Sequence, residues 1–324
     1  MPHFLGAWFD PAQSPDAILL EQVRAAAIER AVDKTDPRLR ALDHYRERLH
    51  TPVARALSHV IGLVDRLPAP VEISPGQYGH DPRLKTLFAS AEHLGEVLGR
   101  FQGVREYLAQ RPGPAPDDIY GLLATAKREK QILGMALEDG LVRRDVLQTA
   151  ISFEDHQYFA PSDSEAAARA ALTTLAFDFL LLQARQAIAA HKTRRGELTR
   201  QRQRLRRRLL SPDADPAAVA GLEADIAAID EELGCFSGIE LGLEDSLRHV
   251  ESLLGEAERW LTVQPFRMSL DYRNVQTTVS EVLEMSEAAA LDGTRRIVLF
   301  GRIPRRQLPE PKDMLKLGRA YLGT

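Results

Sequence analysis

The sequence predicts a predominantly helical α+β fold, in which a long antiparallel helical hairpin extends from a body of N-terminal helices and a small, mostly antiparallel sheet. Three observations predict it: capping residues that mark helix starts, a long apolar seam in the second half of the chain, and two regions with strand patterns. The 324 residues are 44% hydrophobic and 27% charged, the proportions of a folded globular protein.

Helix starts are marked by a capping side chain followed by proline, the residue favoured in the first helical turn. Four such pairs mark predicted helix starts: Ser14-Pro15, Asp36-Pro37, Asp81-Pro82 and Asp215-Pro216. Ser162 with Glu165 adds the spacing of a capping box. These signals predict helices at residues 15–33, 37–66, 82–110, 117–130, 163–210 and 216–261.

Two regions have the pattern of β-structure. Asp139-Gly140 lies between apolar runs within residues 131–153, which predicts a hairpin. Apolar and polar residues alternate over 266–273, and a further strand is predicted at 295–303. Residues 277–290 are ambiguous between strand and helix, with a strand favoured in their first half.

These elements divide the chain into four regions. Residues 1–130 form an N-terminal helical region, 131–160 a β-hairpin region, 161–262 the long helical hairpin, and 263–324 a small β region that ends in a helix at 311–322. Because an isolated two-stranded hairpin is marginally stable in water, we expect 131–160 and 263–324 to share one sheet.

The long helical hairpin is predicted by its apolar seam and by its charges. Apolar residues keep a three-four spacing from Val219 to Leu261, interrupted only at Glu240, over about six heptads of a coiled-coil-like seam. A short connection near Asp213 makes the two helices antiparallel. Residues 192–208 hold nine Lys or Arg and one Glu, whereas residues 213–232 hold seven Asp or Glu and no basic residue. Ion pairs between the two helices are therefore expected.

A register centred near Asp213 predicts which charges face each other. It opposes Arg194 and Arg195 to Glu231 and Glu232, Arg202 to Glu223 and Asp225, and Asp178 to Arg248. Cations outnumber anions, so Arg204, Arg207 and Arg208 near the tip are candidates to bind phosphate groups. A charge zipper is the favoured interpretation, because the basic run has no aromatic residue on which a base could stack.

Two glycine stripes with four-residue spacing fall in predicted helices. They are Gly95, Gly99 and Gly103, and Gly234, Gly238 and Gly242. Each glycine in a helix costs roughly 0.8–1 kcal/mol relative to alanine, which close approach of another backbone would offset. We therefore expect the stripes to cross and to dock helix 82–110 onto the hairpin, with Ala187 and Ala190 as the rival occupants of that groove.

The sequence contains no motif of the common enzyme classes. It lacks GxxxxGK followed by Ser or Thr, GxGxxG, HExxH, CxxC and GxSxG. We therefore predict no cofactor and no metal, and any catalytic residue is unknown. Glu154, Asp155 and His156 follow a predicted strand, where binding residues often lie. His44, Glu47 and His50 share one helical face, and Glu47 and His50 have the spacing of a di-metal ligand pair, but no second copy occurs.

The single cysteine, Cys235, excludes an intramolecular disulfide and fits a reducing compartment. The predicted register places it opposite His191, which suits a core position. The N-terminus lacks a basic segment followed by an apolar run. The most apolar stretch, 171–190, contains Asp178 and Arg185, so a cytoplasmic protein without a membrane span is expected.

The sequence therefore favours a scaffold or protein–protein interaction module that acts through the helical hairpin and binds a protein partner or a second copy. A nucleic-acid-associated protein that uses Arg204, Arg207 and Arg208 is one alternative. An enzyme without a recognisable motif is the other. The net charge of −4 creates no global attraction to nucleic acid or membranes, so such a partner needs a local patch.

Overall fold

The computed structural model describes residues 15–138, 141–210, 216–234, 241–271, 273–277 and 282–309. They form an α+β structure with more helix than strand, as the sequence predicts. The described residues divide into two compact units. Unit 1 takes its residues from 1–60 and 176–260, and unit 2 from 61–175 and 261–324.

The described helices vary greatly in length. They are α1 (Pro15–Thr35), α2 (Tyr45–Asp65), α3 (Pro82–Leu87), α4 (Ala91–Arg100), α5 (Gln102–Gln110), α6 (Glu165–Leu209), α7 (Pro216–Gly234), α8 (Leu241–Gly255) and α9 (Ala257–Trp260). Short 3-10 helices occur at Pro37–Ala41 and Arg305–Gln307. Within the described part of the chain, no helix combines the length and the apolar character that a membrane crossing requires.

The strands form one sheet in unit 2. They are β1 (Val71–Glu72), β2 (Asp118–Glu138), β3 (Leu141–Ser162), β4 (Leu261–Ser269), β5 (Val282–Ala290) and β6 (Arg295–Pro304). The order is β3-β2-β6-β5-β4, and all these neighbours are antiparallel, whereas β1 adds to β6 in parallel. Strands from both predicted β regions thus lie in the same sheet.

Residues on β6 alternate between two apolar clusters that cover the two faces of the sheet. Ile297, Leu299 and Ile303 join the larger cluster, which includes apolar side chains of α3, α4 and α5. Val298 and Phe300 join the other, which includes residues from the end of α2 and the start of α6. This period of two is what a strand covered on both faces requires.

The apolar core of unit 1 comes from α1, α2, α6 and α8, whose buried residues recur at the three-four spacing of a helix face. In α6 these are Phe177, Leu180, Leu181, Ala184 and Ile188, and in α8 they are Leu247, Val250 and Leu254. Ion pairs add to this core. Arg30 donates to both oxygens of Asp178 at 2.5 and 2.6 Å, and Arg48 pairs with Glu244 and Glu251.

Two of the predicted helices are wrong. One segment pairs as a strand, and the other is divided by local caps. The helix expected at 117–130 is instead part of β2, where Ile119, Leu123 and Thr125 are buried at strand spacing. The single helix expected at 82–110 is divided into α3, α4 and α5, because Asp81 and Ser90 each cap a separate helix start.

Several element boundaries also differ from the prediction. Ser164, not Ser162, caps α6, since its Oγ accepts from the amide of Ala167. The helix expected to continue to residue 261 ends earlier, because Leu261 begins β4. In the ambiguous segment 277–290, residues 282–290 form β5, and residues 278–281 lie outside the described residues. The predicted helix at 311–322, Asp139-Gly140 and residues 235–240 lie outside the described residues.

Candidate functional site

Three arginines of α6 contact acidic residues of α7. Arg194 pairs with Glu232 at 2.9 Å, as the register predicts. Arg202 and Arg206 both pair with Asp230, at 2.9 and 3.2 Å. The register predicts Glu223 and Asp225 as the partners of Arg202. This prediction is wrong, because Arg202 binds Asp230, whose carboxylate also accepts from Arg206 one helical turn away. The predicted pair of Asp178 and Arg248 is also wrong, since Asp178 binds Arg30 and Arg248 binds Asp245.

Charged side chains nearer the facing ends of α6 and α7 have no such partner among the described residues. Arg204, Arg207 and Arg208 are exposed on α6, and no ion pair joins them to another residue in the described part of the chain. Glu223 and Asp225 are exposed on α7, likewise without an ion pair to a described residue. These cations thus lie on α6 and these carboxylates on α7, and no ion pair with a described residue neutralises them.

Burial along the predicted seam decreases toward the same ends of α6 and α7. Leu198 of α6 and Ile229 of α7 are buried. Leu222 and Ile226 on α7 and Leu205 on α6 are only half-buried. Apolar side chains near these ends of α6 and α7 therefore retain exposed surface.

The candidate polar cluster at 154–156 does not converge on a common point. The Glu154 side chain accepts from Ser152 Oγ at 3.3 Å and lies 3.8 Å from Arg128. Asp155 has a φ of 53°, in the left-handed region, at an irregularity in the pairing of β2 with β3. Its carboxylate pairs with Arg296 at 2.7 Å, and hydrogen bonds from Gln157 and Arg296 lower its pKa.

His156 has a packing role in the structure. Its Nε2 donates to the carbonyl oxygen of Leu87 at 2.8 Å, and its ring stacks on Phe88 with the centroids 4.7 Å apart. Burial lowers the pKa of His156, so the neutral ring that donates to Leu87 is favoured. With three neighbouring side chains directed to separate partners, this cluster gives no arrangement for catalysis, and the enzyme alternative gains no support from it.

The glycines of the first stripe face neighbours other than a second glycine helix. A Cβ at Gly95 would lie 3.6 Å from Pro75, one at Gly99 2.7 Å from Pro309, and one at Gly103 3.6 Å from the carbonyl oxygen of Tyr158. Gly95 and Gly99 belong to α4 and Gly103 to α5, so the three do not share one helix face. The explanation by a helix crossing is therefore wrong for this stripe.

The second stripe has a different environment. A Cβ at Gly234 would meet no atom of a described residue within 4 Å, so this glycine marks no close approach to a described backbone. A Cβ at Gly242 would lie 3.6 Å from Nη1 of Arg195, an ordinary side-chain contact. Gly238 lies outside the described residues, as does Cys235, the predicted partner of His191.

Within the described residues, no three His, Cys, Asp or Glu side chains are grouped as metal ligands. His44 contacts Glu244 at 2.9 Å, whereas Nε2 of His50 lies 2.9 Å from Arg24 and 3.4 Å from Glu21. The two histidines beside Glu47 are therefore used in separate contacts.

Sequence reasoning did not identify an exposed apolar surface on the β2–β3 pair. Beyond Thr125, the described residues of β2 pair with β3 and no longer with β6. In this part Leu133 and Leu147 are directly opposed and are 69% and 67% exposed, and Met135 is 58% exposed. In this part of the sequence, apolar residues occupy successive positions instead of alternating with polar ones. One face of the hairpin could not bury all of them, so this pattern was the signal for an exposed apolar surface.

Comparisons of the chain with protein-family models, with curated proteins and with solved structures find no match.

Proposed function

We propose that the protein is a scaffold module that associates with a second copy of itself through α6 and α7, which form an antiparallel, coiled-coil-like hairpin. The observation that carries the proposal is the separation of unneutralised charge, with Arg204, Arg207 and Arg208 exposed on α6 and Glu223 and Asp225 exposed on α7. Ion pairs from Arg194 to Glu232 and from Arg206 to Asp230 support the hairpin.

A two-fold symmetric pair of hairpins matches these charges. In such an interface a surface patch meets its own counterpart, so residue i contacts residue j and j contacts i. Arg204 and Asp225 lie five and nine residues from the ends of α6 and α7, within about 14 Å of those ends at 1.5 Å per residue. A two-fold axis parallel to the helices therefore brings the arginines of one copy level with the carboxylates of the other.

The half-buried seam supplies the apolar part of this interface. Leu205, Leu222 and Ile226 retain exposed surface on α6 and α7, and burying apolar area is the main favourable contribution to association. Charges at the edges of a helical seam mostly determine partner choice and register. We therefore assign affinity to the leucines and isoleucine, and specificity to the arginines and carboxylates.

A charge-swap experiment tests the proposal. One variant carries Arg204→Glu, Arg207→Glu and Arg208→Glu, and the other carries Glu223→Arg and Asp225→Arg. By light scattering after size exclusion at low salt, we expect the wild type to be dimeric and each variant to be monomeric. An equimolar mixture of the variants should form a heterodimer, because both of its charged contacts again join opposite signs.

Two results of this experiment would refute self-association. The first is a monomeric wild type at about 100 μM, a concentration well above that needed for a specific interface with micromolar affinity. The second is a mixture of the two variants that stays monomeric although circular dichroism shows both to be folded. Arg200→Glu, at an exposed position of α6 one turn before Arg204, is the matched control and should leave the dimer intact.

Nucleic-acid binding is the second candidate, favoured by the same three exposed arginines. We test it by titrating labelled single- and double-stranded nucleic acid at about 50 and 200 mM salt, between which six or more phosphate contacts weaken binding roughly a thousandfold or more. Binding with this slope that the triple glutamate variant abolishes, together with a monomeric wild type, would replace self-association by this function. Because Cys235 is the single cysteine, we place either function in a reducing compartment, the cytoplasm.

A further inference from the structure

A cavity of about 230 Å³ in unit 1 is lined by residues of α6, α8 and the 3-10 helix Pro37–Ala41. Its volume equals the share of roughly eight water molecules in the liquid. Basic and imidazole side chains dominate the lining: Arg38, His191, Lys192, Arg195 and His249. The cavity is separate from the exposed arginines of the proposed dimer interface.

Two of the cations share one buried carboxylate. Lys192 Nζ lies 2.8 Å from Oδ2 of Asp36, and Arg38 contacts both oxygens of the same carboxylate at 2.9 and 2.8 Å. Hydrogen bonds from Arg38 and then Lys192 hold the pKa of Asp36 far below its usual range, so this carboxylate is ionised. It neutralises one of the two cations and leaves one positive charge in excess.

The other charged residues at the cavity give a second excess charge. Asp245 is buried and pairs with Arg248 at 3.2 Å, whereas Arg195 is half-buried and has no ion pair with any described residue. Burial lowers the pKa of His191, so the imidazole is neutral and adds no charge. Among the described residues, the charged groups that line the cavity or pair with its lining are thus four cations and two carboxylates: Arg38, Lys192, Arg195 and Arg248, with Asp36 and Asp245. A half-buried guanidinium without a counterion is unfavourable unless an anion joins it.

Gly242 of α8 also lines the cavity, beside Arg195. Because glycine has no side chain, it leaves space next to the guanidinium group, and a Cβ there would lie 3.6 Å from Nη1 of Arg195. An anion held by Arg195 therefore has room beside α8.

We propose that this cavity binds a dianionic tetrahedral oxyanion, either inorganic phosphate or the phosphate group of a small phosphomonoester. Two excess positive charges match a dianion. The fork of Arg195 and the ammonium group of Lys192 supply several N–H donors, which the oxygens of a phosphate group accept. The ring of His249, whose Nδ1 donates to the carbonyl oxygen of Asp245 at 2.7 Å, forms part of the wall.

Calorimetric titration of the full chain with inorganic phosphate at low ionic strength tests the site. We expect Arg195→Gln to weaken binding about tenfold or more, because hydrogen bonds between ionised groups are the strong ones. Arg200→Gln removes a cation from the same helix outside the cavity and should leave the affinity unchanged. Gly242→Ala should weaken binding without lowering the thermal midpoint, because alanine is the better helix former.

Two further titrations complete the test. Phenyl phosphate binds more tightly than inorganic phosphate if a phosphomonoester is the ligand, and equally or less tightly if phosphate itself is. Wild-type protein that binds phosphate no better than Arg195→Gln, or that releases it to an equal concentration of chloride, would overturn the proposal. Since none of these substitutions lies among the residues of the dimer interface, the oligomeric state remains an independent measurement.

Discussion

Helices α6 and α7 and strands β2 and β3 are two pairs of long elements that are consecutive in the chain, and they expose opposite kinds of side chain. The helices expose Arg204 and Asp225 toward their facing ends, whereas the strands expose Leu133 and Leu147. A strand pair is held by backbone hydrogen bonds between its members, but each helix makes its backbone bonds internally. Only side chains can therefore hold α6 and α7 together.

Because of this difference, the helix pair and the strand pair tolerate different substitutions. In the helix pair, charges such as Asp230 with Arg202 and Arg206 determine which surfaces meet. In the strand pair, exposed side chains can change without loss of the ladder that joins Ala126–Glu138 to β3. The strand pair depends on its side chains where other elements cover it, around Gly121 and Tyr158. Substitutions in this covered part and in the exposed part of the same strands should therefore differ in their effect on stability.

The largest effect is expected from the same substitution at two glycines of β2. A Cβ at Gly121 would lie 2.5 Å from Cε1 of Tyr158 and 2.6 Å from the carbonyl oxygen of Phe159. The Tyr158 ring cannot move away freely, because its hydroxyl lies 2.9 Å from both the Ile119 and Gly301 carbonyl oxygens. Gly121→Ala should lower the free energy of unfolding by about 1–3 kcal/mol, the usual cost of overpacking.

Gly134→Ala is the matched control in the exposed part of the same strand. Its Cβ would meet the side-chain amide of Gln148, which is the flexible end of a side chain and can rotate away. Urea denaturation of both variants checks the comparison, and we expect Gly134→Ala to stay within about 0.5 kcal/mol of the wild type. Equal losses at the two positions would contradict the distinction between covered and exposed parts.

The contrast between local and long-range features also explains what the sequence could predict. Asp36 and Asp81 cap helices through amides two residues away, so their role follows from adjacent letters. The segment around Lys127–Lys130 is rich in helix formers, yet it is a strand because β3 supplies a complete ladder. Local preference alone could not reveal that pairing, and the predicted helix at 117–130 was the result.

The candidate sites show the same limit. The exposure of Arg204, Arg207 and Arg208 agrees with a count of charges along the two helices, which can be read from composition. The cavity at Arg195 combines residues of a 3-10 helix, α6 and α8 that are far apart in the chain, and nothing in their spacing indicates that they meet. Gly242 was identified by its spacing, but its position beside a guanidinium needs the fold.

A smaller effect is expected from pH at His156, which joins the covered part of β3 to the end of α3. Burial lowers the pKa of His156 in the folded state below its ordinary value of 6.5, so the unfolded chain binds a proton more readily. Stability from this group is complete above about pH 6.5 and decreases as the pH falls toward the folded-state pKa. Of its titratable neighbours, His93 lowers the pKa of His156 and Asp155 raises it.

His156→Gln is the variant that isolates this titration. Its side-chain amide can still donate to the Leu87 carbonyl oxygen, but it does not take up a proton in this range. Thermal midpoints measured from pH 7.5 to pH 5 should fall less steeply in the variant than in the wild type. Parallel curves would show that other groups cause the acid destabilisation of unit 2.

The smallest effect is expected at the exposed leucines of the strand pair. Leu133→Thr with Leu147→Thr replaces a directly opposed pair that is about two-thirds exposed. Threonine favours strands, and a cross-strand pair contributes roughly 0.2–1 kcal/mol, so urea denaturation should detect a change of less than about 1 kcal/mol. A much larger loss would mean that these side chains are covered in solution, and dilution of the wild type would then show whether a second copy covers them.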